Sequence, residues 1–279
     1  MADSKRKKFS KMLHEGNLKY PASSFIENDF DIISVSGKKH YEEQTLSILS
    51  FCSNVGVPKK WTIFSDGSYS DQQKENLTKL FPFISIKNWS DLPNRHPEYT
   101  ETLNNYTSNY NIGKKTYVIL NYFKNRYLYF DSDLVFYPTM KDYLHLFNSH
   151  KFNYFSVDND WCCLDPMYMK NKKQDMYQLN SGILFIQPNF NWEPALKYLK
   201  QVSGKYQFFD QTSIHEAFFS DQNQAVLPFD PRVFKVEMKD HFKFKISPET
   251  KNLAVRHYVG PVRHKIWQKG WNWHIGNFI

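Results

Sequence analysis

At 279 residues, with 41% hydrophobic, 18% aromatic and 23% charged side chains, the chain has material for one large folded domain and is too apolar for a disordered protein. No stretch approaches 18 uninterrupted apolar residues and no apolar run follows the basic N-terminus, so neither a membrane span nor a secretory leader is expected, and the protein is expected to be soluble and cytoplasmic. The net charge of +8 suggests nucleic acid as a partner, but Lys5, Arg6, Lys7, Lys8 and Lys11 against Asp3 account for half of it, which leaves a mildly basic body and no expectation of nucleic-acid binding.

Residues 1–24 end in a Pro-Ala-Ser-Ser turn and are expected to form a flexible or weakly helical basic tail, a candidate for peripheral membrane or polyanion contact. From residue 30 the pattern changes. DIISVS reads as a strand, Glu42 to Val55 as a helix, WTIFSDGS as a second strand leaving through an Asp-Gly turn, Asp71 to Leu80 as a helix and ISIKNW as a third strand. Alternation at this spacing predicts parallel crossovers, hence an α/β domain over 25–279. No Gly-x-Gly-x-x-Gly and no P-loop follows any strand, which disfavours dinucleotide and P-loop chemistry.

Asp91 to Gly113 is polar and reads as turns, and Lys114 to Phe123 as a helix or strand. A helix is expected around Met140 to Phe147, a strand at FNYFSVD, a loop from Asn159 to Gln178 and a strand at SGILFIQP. Helices are expected at Trp192 to Val202 and Gln211 to Phe219, and strands at VFKV, FKFKI and AVRHYV. Cys52, Cys162 and Cys163 are too few and too badly spaced for a disulfide framework, so reduced thiols are expected.

The most informative stretch is Arg126 to Tyr137, RYLYFDSDLVFY. Its aromatic run predicts a strand buried on both faces, ended by Asp131 and Asp133 with Ser132 between them. Ligands of open α/β sheets bind beyond the carboxyl ends of strands, and two hard oxygen ligands there make half of a divalent-cation site. Asp29 to Asp31 and Asp158 to Asp160 repeat the spacing, but only Asp131 to Asp133 ends a strongly strand-like run.

Four motifs in order resemble the GT-A fold glycosyltransferases, particularly the glycogenin-like family 8 and related bacterial sugar transferases, from about Phe30 to Trp267. They are Asp131-Ser132-Asp133, Asn180-Ser181-Gly182, Asp210-Gln211, and His257-Tyr258-Val259-Gly260-Pro261-Val262-Arg263. The resemblance implies a single Rossmann-like domain with a central mixed, mostly parallel sheet flanked by helices. It implies a transferase moving a sugar from a UDP-sugar to a hydroxyl acceptor such as a glycan, a lipid-linked glycan or a protein, with anomeric retention. It also implies that Asp131, Asp133 and His257 bind Mn²⁺ or Mg²⁺ together with the diphosphate, imidazole favouring Mn²⁺. Gly260 and Arg263 would hold the phosphates, Arg263 standing where the family has Lys, so that Lys265 is an alternative contact.

By position, Lys114 or Lys115 is the basic residue near the phosphates, and Asp158, Asn180, Ser181, Gly182, Asp210 and Gln211 form the sugar pocket. Gln211 is placed at the anomeric carbon, and Ser34, Val35 and Ser36 are expected to touch uracil and ribose. Read without the family, Asn180-Ser181-Gly182 is also a tight turn and Asp210-Gln211 a helix cap. The rival readings are an inverting transferase, a nucleotidyltransferase-like enzyme and a basic, aromatic-rich nucleic-acid-binding protein.

Overall fold

The computed structural model describes residues 2–18, 24–148, 151–158, 164–170, 177–202, 208–221, 225–237, 252–268 and 271. A seven-stranded sheet runs through the chain in the order β3-β2-β1-β4-β7-β6-β8. Its strands are β1 (Asp31–Ser36), β2 (Trp61–Ser65), β3 (Ile84–Asn88), β4 (Tyr127–Phe130), β6 (Asn153–Val157), β7 (Leu179–Ile186) and β8 (Val226–Pro228). Only β7 runs antiparallel to its neighbours, so the sheet is mixed and mostly parallel as expected. A second sheet joins β5 (Leu134–Phe136), β10 (Val255–His257) and β9 (Phe234–Val236) in the order β5-β10-β9. The expected FKFKI strand, Cys162, Cys163 and Asp160 lie outside the described residues.

Strand β4 shows why the aromatic run is central. With a period of two, Leu128 and Phe130 face one layer and Tyr127 and Tyr129 the other. The first layer holds α2 (Tyr41–Asn54) and the small sheet, and the second holds α5 (Asn111–Asn121), α8 (Glu193–Val202) and α9 (Phe209–Phe218). Helix α3 (Asp71–Leu80) starts at a capping box in which Ser70 and Gln73 each accept from the other's backbone N–H.

The expected loop from Asn159 to Gln178 carries a short helix, Pro166–Lys170, and two larger expectations fail. Residues 100–109 form helix α4 (Thr100–Asn109), not turns. Its buried residues, Leu103, Tyr106 and Thr107, keep helical spacing among Asn, Ser and Thr that read locally as loop. Gly113, on the following α5, is demanded by this neighbour, because a Cβ there would lie 2.2 Å from the Tyr106 carbonyl oxygen.

The second failure is the looseness of the tail, which is helical as one of the two readings had it but packed on the core. Ala2–His14 is helix α1, packed on the 3₁₀ segment Gly260–Trp267. Phe9 is completely buried with its ring 5.3 Å from that of Trp267, and Leu13 is buried one turn later. Arg6 pairs with Glu42 and Glu43, and the Trp267 indole N–H donates to Glu43 Oε1 at 2.6 Å. Five basic residues outweighed an apolar stripe of Phe9, Met12 and Leu13 when the segment was read by charge.

Candidate active site

The site lies where β4 ends. Asp131 follows the strand, and its backbone N–H donates to the Gly182 carbonyl of β7. Two neighbours fix its carboxylate: the Tyr129 hydroxyl donates to Oδ1 at 2.6 Å and Lys115 Nζ to Oδ2 at 2.9 Å. Burial raises the Tyr129 phenol well above its ordinary range, so it stays a donor. After Ser132, which is buried in the turn, Asp133 leads into β5.

The small sheet brings in the third group. Antiparallel pairing sets His257 of β10 opposite Leu134, and the Tyr258 N–H donates to the Asp133 carbonyl at 3.0 Å. The imidazole Nε2 then lies 3.2 Å from Asp133 Oδ1 and 3.7 Å from Asp131 Oδ2.

Asn180 decides which ring nitrogen carries the proton. Its Oδ1 accepts the Gly182 N–H at 2.9 Å, which fixes the amide's orientation, and the same oxygen lies 3.1 Å from His257 Nδ1. An amide oxygen only accepts, so Nδ1 is the donor to Asn180, and Nε2 is the nitrogen turned toward the two carboxylates, placed to offer its lone pair to a cation bound there. Ligand atoms of Asp131, Asp133 and His257 all lie within 4.8 Å of one another. Two carboxylates and an imidazole oriented with Nε2 toward them suit a divalent transition cation.

Gly182 makes this approach possible. It sits inside β7, so Asn180-Ser181-Gly182 is not a turn before the strand; a Cβ on it would stand 2.1 Å from His257 Cε1. Here β6 skips across β7, pairing Phe155 with Leu184 and then Ser156 with Asn180. The bulge re-aims the strand beside the carboxylates.

Arg263 completes the cluster. Its Nε and Nη2 lie 2.8 and 2.7 Å from Asp133 Oδ2, and Nη1 lies 3.2 Å from His40 Nε2. Burial would raise the Asp133 carboxyl, but Arg263 and then His257 hold it well below the usual carboxylate range. Burial and the nearby Arg263 lower His40 to about 4, so its ring is a neutral acceptor. Asp210, at the start of α9, is raised by burial against the opposing pull of Lys115.

These groups share a cavity of about 460 Å³, lined by Lys115, Asp131, Asp133, Asn180, Ser181, Gly182, Asp210, Gln211, His257, Gly260 and Arg263. Ile112, Phe208, Val259 and Pro261 give it an apolar side. Val259 and Pro261 belong to the fourth motif without a role of their own there, and nothing in the sequence points to Ile112, Phe208 or His40. Phe208 has a left-handed backbone, φ 64°, immediately before α9, and nothing in its residue type announces that.

Other expected residues lie elsewhere. Of the two adjacent lysines only Lys115 faces the cavity; Lys114 donates to the Asp66 carbonyl at 2.8 Å. Ser34 is a correction, because it is fully buried and its Oγ accepts the Trp61 indole N–H at 2.9 Å. Ser36 is buried on the same face of β1, and Val35 is half-buried in pairing with Phe64. Lys265 is buried and lines no part of the cavity, so it does not share the Arg263 position. Asp158 also lies behind the cavity wall, with Asn180 Nδ2 and Gln211 Nε2 each 3.4 Å from its Oδ2.

No protein-family model and no curated protein sequence matches the chain. Solved structures do. The galactosyltransferase LgtC, in complex with donor and acceptor sugar analogues, is similar with a TM-score of 0.56 and 14% identity, over 88% of this chain and 96% of the other. Mouse xyloside xylosyltransferase 1 is similar with a TM-score of 0.59 and 10% identity, over 84% and 98%. The glycosyltransferase GlyE of Streptococcus pneumoniae TIGR4 is similar with a TM-score of 0.52 and 13% identity, over 89% of this chain and 61% of its own. At these identities the likeness is one of fold.

Proposed function

We propose that this chain, whose fold is the GT-A fold of glycosyltransferases, transfers a sugar from a UDP-sugar to a hydroxyl acceptor with the aid of Mn²⁺ or Mg²⁺. The observation that carries this reading is the imidazole of His257, held by Asn180 through Nδ1 with its Nε2 turned toward Asp131 and Asp133. An imidazole ligand favours Mn²⁺, since Mg²⁺ prefers oxygen throughout. The bound cation would supply the Lewis acidity that makes a nucleoside diphosphate a competent leaving group.

The chain's own residues supply the rest. Arg263, and Lys115 beside Asp131, add positive charge on the same wall for the diphosphate, and Gly260 lets backbone come close to it. Asp210 and Gln211 enter from the start of α9 to meet the sugar, while Asp158 holds Gln211 and Asn180 from behind and so acts by positioning. The apolar side formed by Ile112, Phe208, Val259 and Pro261 keeps water from the transferring group.

Retention of anomeric configuration is the preferred stereochemistry. The Gln211 amide is neither nucleophile nor base, but its carbonyl can stabilise positive charge at an oxocarbenium-like carbon while the departing phosphate takes the acceptor proton. Asp210, raised by burial, is the carboxylate that an inverting reaction would use as base.

The test is a screen of UDP-sugars for slow hydrolysis to UDP, with Mn²⁺ or with EDTA, in the wild type and Asp133→Asn. Loss of a cation ligand is expected to cost roughly a thousandfold in rate, or about 4 kcal/mol of barrier. Turnover of no UDP-sugar, or equal turnover in EDTA, would overturn the proposal. Proton NMR of the first-formed product then reads the linkage: an α product from an α donor supports retention, and a β product assigns Asp210 the role of base.

A further inference from the structure

We propose that Arg263 makes cation binding conditional on the nucleotide: it occupies the Asp133 carboxylate until a diphosphate draws it away, so that metal and diphosphate enter as a coupled pair. The inference rests on the cation-site reading given above and concerns a residue that does not itself ligate the metal.

Asp133 is buried, and both of its oxygens are engaged. Oδ2 takes the Arg263 fork through Nε at 2.8 Å and Nη2 at 2.7 Å, and Oδ1 faces His257 Nε2 at 3.2 Å. A dication bound by Asp131, Asp133 and His257 would sit within a few ångström of that guanidinium. Two positive groups then compete for one carboxylate in a place where water screens them little.

A lysine could relieve the conflict by losing its proton. Arginine cannot, because its guanidinium stays charged throughout the accessible pH range. Relief must come from movement of the fork or from added negative charge, and a diphosphate provides the second and invites the first.

The surroundings suit such a swing. Nη1 also lies beside the neutral His40 ring, 3.3 and 3.2 Å from its two nitrogens, so the guanidinium keeps a neighbour while Nε and Nη2 turn from Asp133. Arg263 and Gly260 line the same cavity, and a Cβ added at Gly260 would meet nothing within 4 Å, so there is room for a phosphate at the fork's new position. Among the described residues no fork competes for Asp131: Lys115 reaches it as a point charge at 2.9 Å. The gate is therefore on Asp133.

Linkage gives the consequence. If UDP raises Mn²⁺ affinity by some factor, Mn²⁺ raises UDP affinity by the same factor, and Arg263 sets it. The experiment follows free Mn²⁺ by electron paramagnetic resonance, with and without UDP, in the wild type, Arg263→Gln, Arg263→Lys and Asp133→Asn, each checked for a native melting transition.

In the wild type, UDP is expected to tighten Mn²⁺ at least tenfold. Arg263→Gln is expected to bind Mn²⁺ alone at least tenfold tighter than the wild type, with the UDP effect reduced. Arg263→Lys keeps the charge but loses the fork, so it is expected to fall between them; it carries the test if the Gln variant does not fold. Asp133→Asn is expected to bind Mn²⁺ in neither condition.

If the Arg263 variants bind Mn²⁺ alone no tighter than the wild type while Mn²⁺ with UDP still binds, the gate is wrong and the transferase reading stands. If Arg263→Lys behaves as the wild type and only Arg263→Gln binds tighter, the effect is one of net charge and the gate is likewise wrong. If no protein binds Mn²⁺ in either condition, the cation site itself is wrong and the gate falls with it.

Discussion

The imidazole of His257 packs against the backbone of Gly182, so close that a single methyl group on that residue would overlap the ring at 2.1 Å from Cε1. Gly182→Ala therefore sets a packed strand against a site residue, and one must move. Overpacking of this kind costs about 1–3 kcal/mol. We expect a stability loss in that range by denaturant unfolding, together with weakened Mn²⁺ binding. Adding His257→Ala to Gly182→Ala is expected to recover part of the stability; additive losses would show that the clash is relieved elsewhere.

Asn180 is expected to act on metal affinity without touching the metal. Replacing it by Leu removes the acceptor that keeps the proton on His257 Nδ1. Losses on the order of 10–100-fold in affinity are typical when such an outer partner is removed. Calorimetric titration with Mn²⁺ and UDP reads this directly, and an affinity equal to that of the wild type would mean that His257 is oriented by other contacts.

Reading residues 1–24 as a loose tail predicts that their removal leaves the melting temperature unchanged. The packed helix α1 predicts the opposite. Phe9→Ala removes a completely buried ring packed at a tilt against Trp267, and Phe-to-Ala changes in cores cost about 3–5 kcal/mol. Thermal unfolding of Phe9→Ala and of a variant lacking residues 1–14 decides between them, a shift of less than a degree in both cases favouring the tail.

His40 gives the stability a pH dependence of known sign. Its folded-state pKa of about 4 lies below the ordinary value of 6.5. The unfolded chain thus takes up a proton at this position first, and stability is lost as pH falls from about 6.5 toward 4. Urea unfolding at pH 7 and pH 5 is expected to show a smaller drop in His40→Gln than in the wild type. Equal drops would show that His40 is charged in the folded protein.

The parts of the structure that were legible in the sequence are those set by local periodicity. Tyr127 to Phe130 announced a strand covered on both faces, and Asp71 to Leu80 announced helix α3. The carboxylates were legible because hard ligands after such a strand have few other uses. Asn180 and Gly182 were visible as a motif, but their work, orienting and admitting an imidazole, depends on His257, 77 residues beyond Asn180, and no local pattern carries it. Lys114 and Lys115 stayed open for a simpler reason: adjacent residues on a helix point about 100° apart, so only the placement of α5 decides which one reaches Asp131. His40 and Phe208 were invisible, since a neutral acceptor for an arginine and a left-handed aromatic leave no composition signal.

The contact between α1 and the Gly260–Trp267 segment also has a consequence in time. Glu43 and Trp267 are 224 residues apart, and His40 is 223 residues from the Arg263 it anchors. At about 5–20 residues per second of synthesis, roughly 10–45 s separate the appearance of the two sides of these contacts at the ribosome. During that interval Phe9 and Leu13 have no 3₁₀ segment to cover them, and Glu43 has no indole. An apolar helix face left waiting is a natural ligand for holdase chaperones, so a nascent chain stalled before residue 260 is expected to carry such a chaperone on its first 14 residues and to release it once Trp267 has emerged.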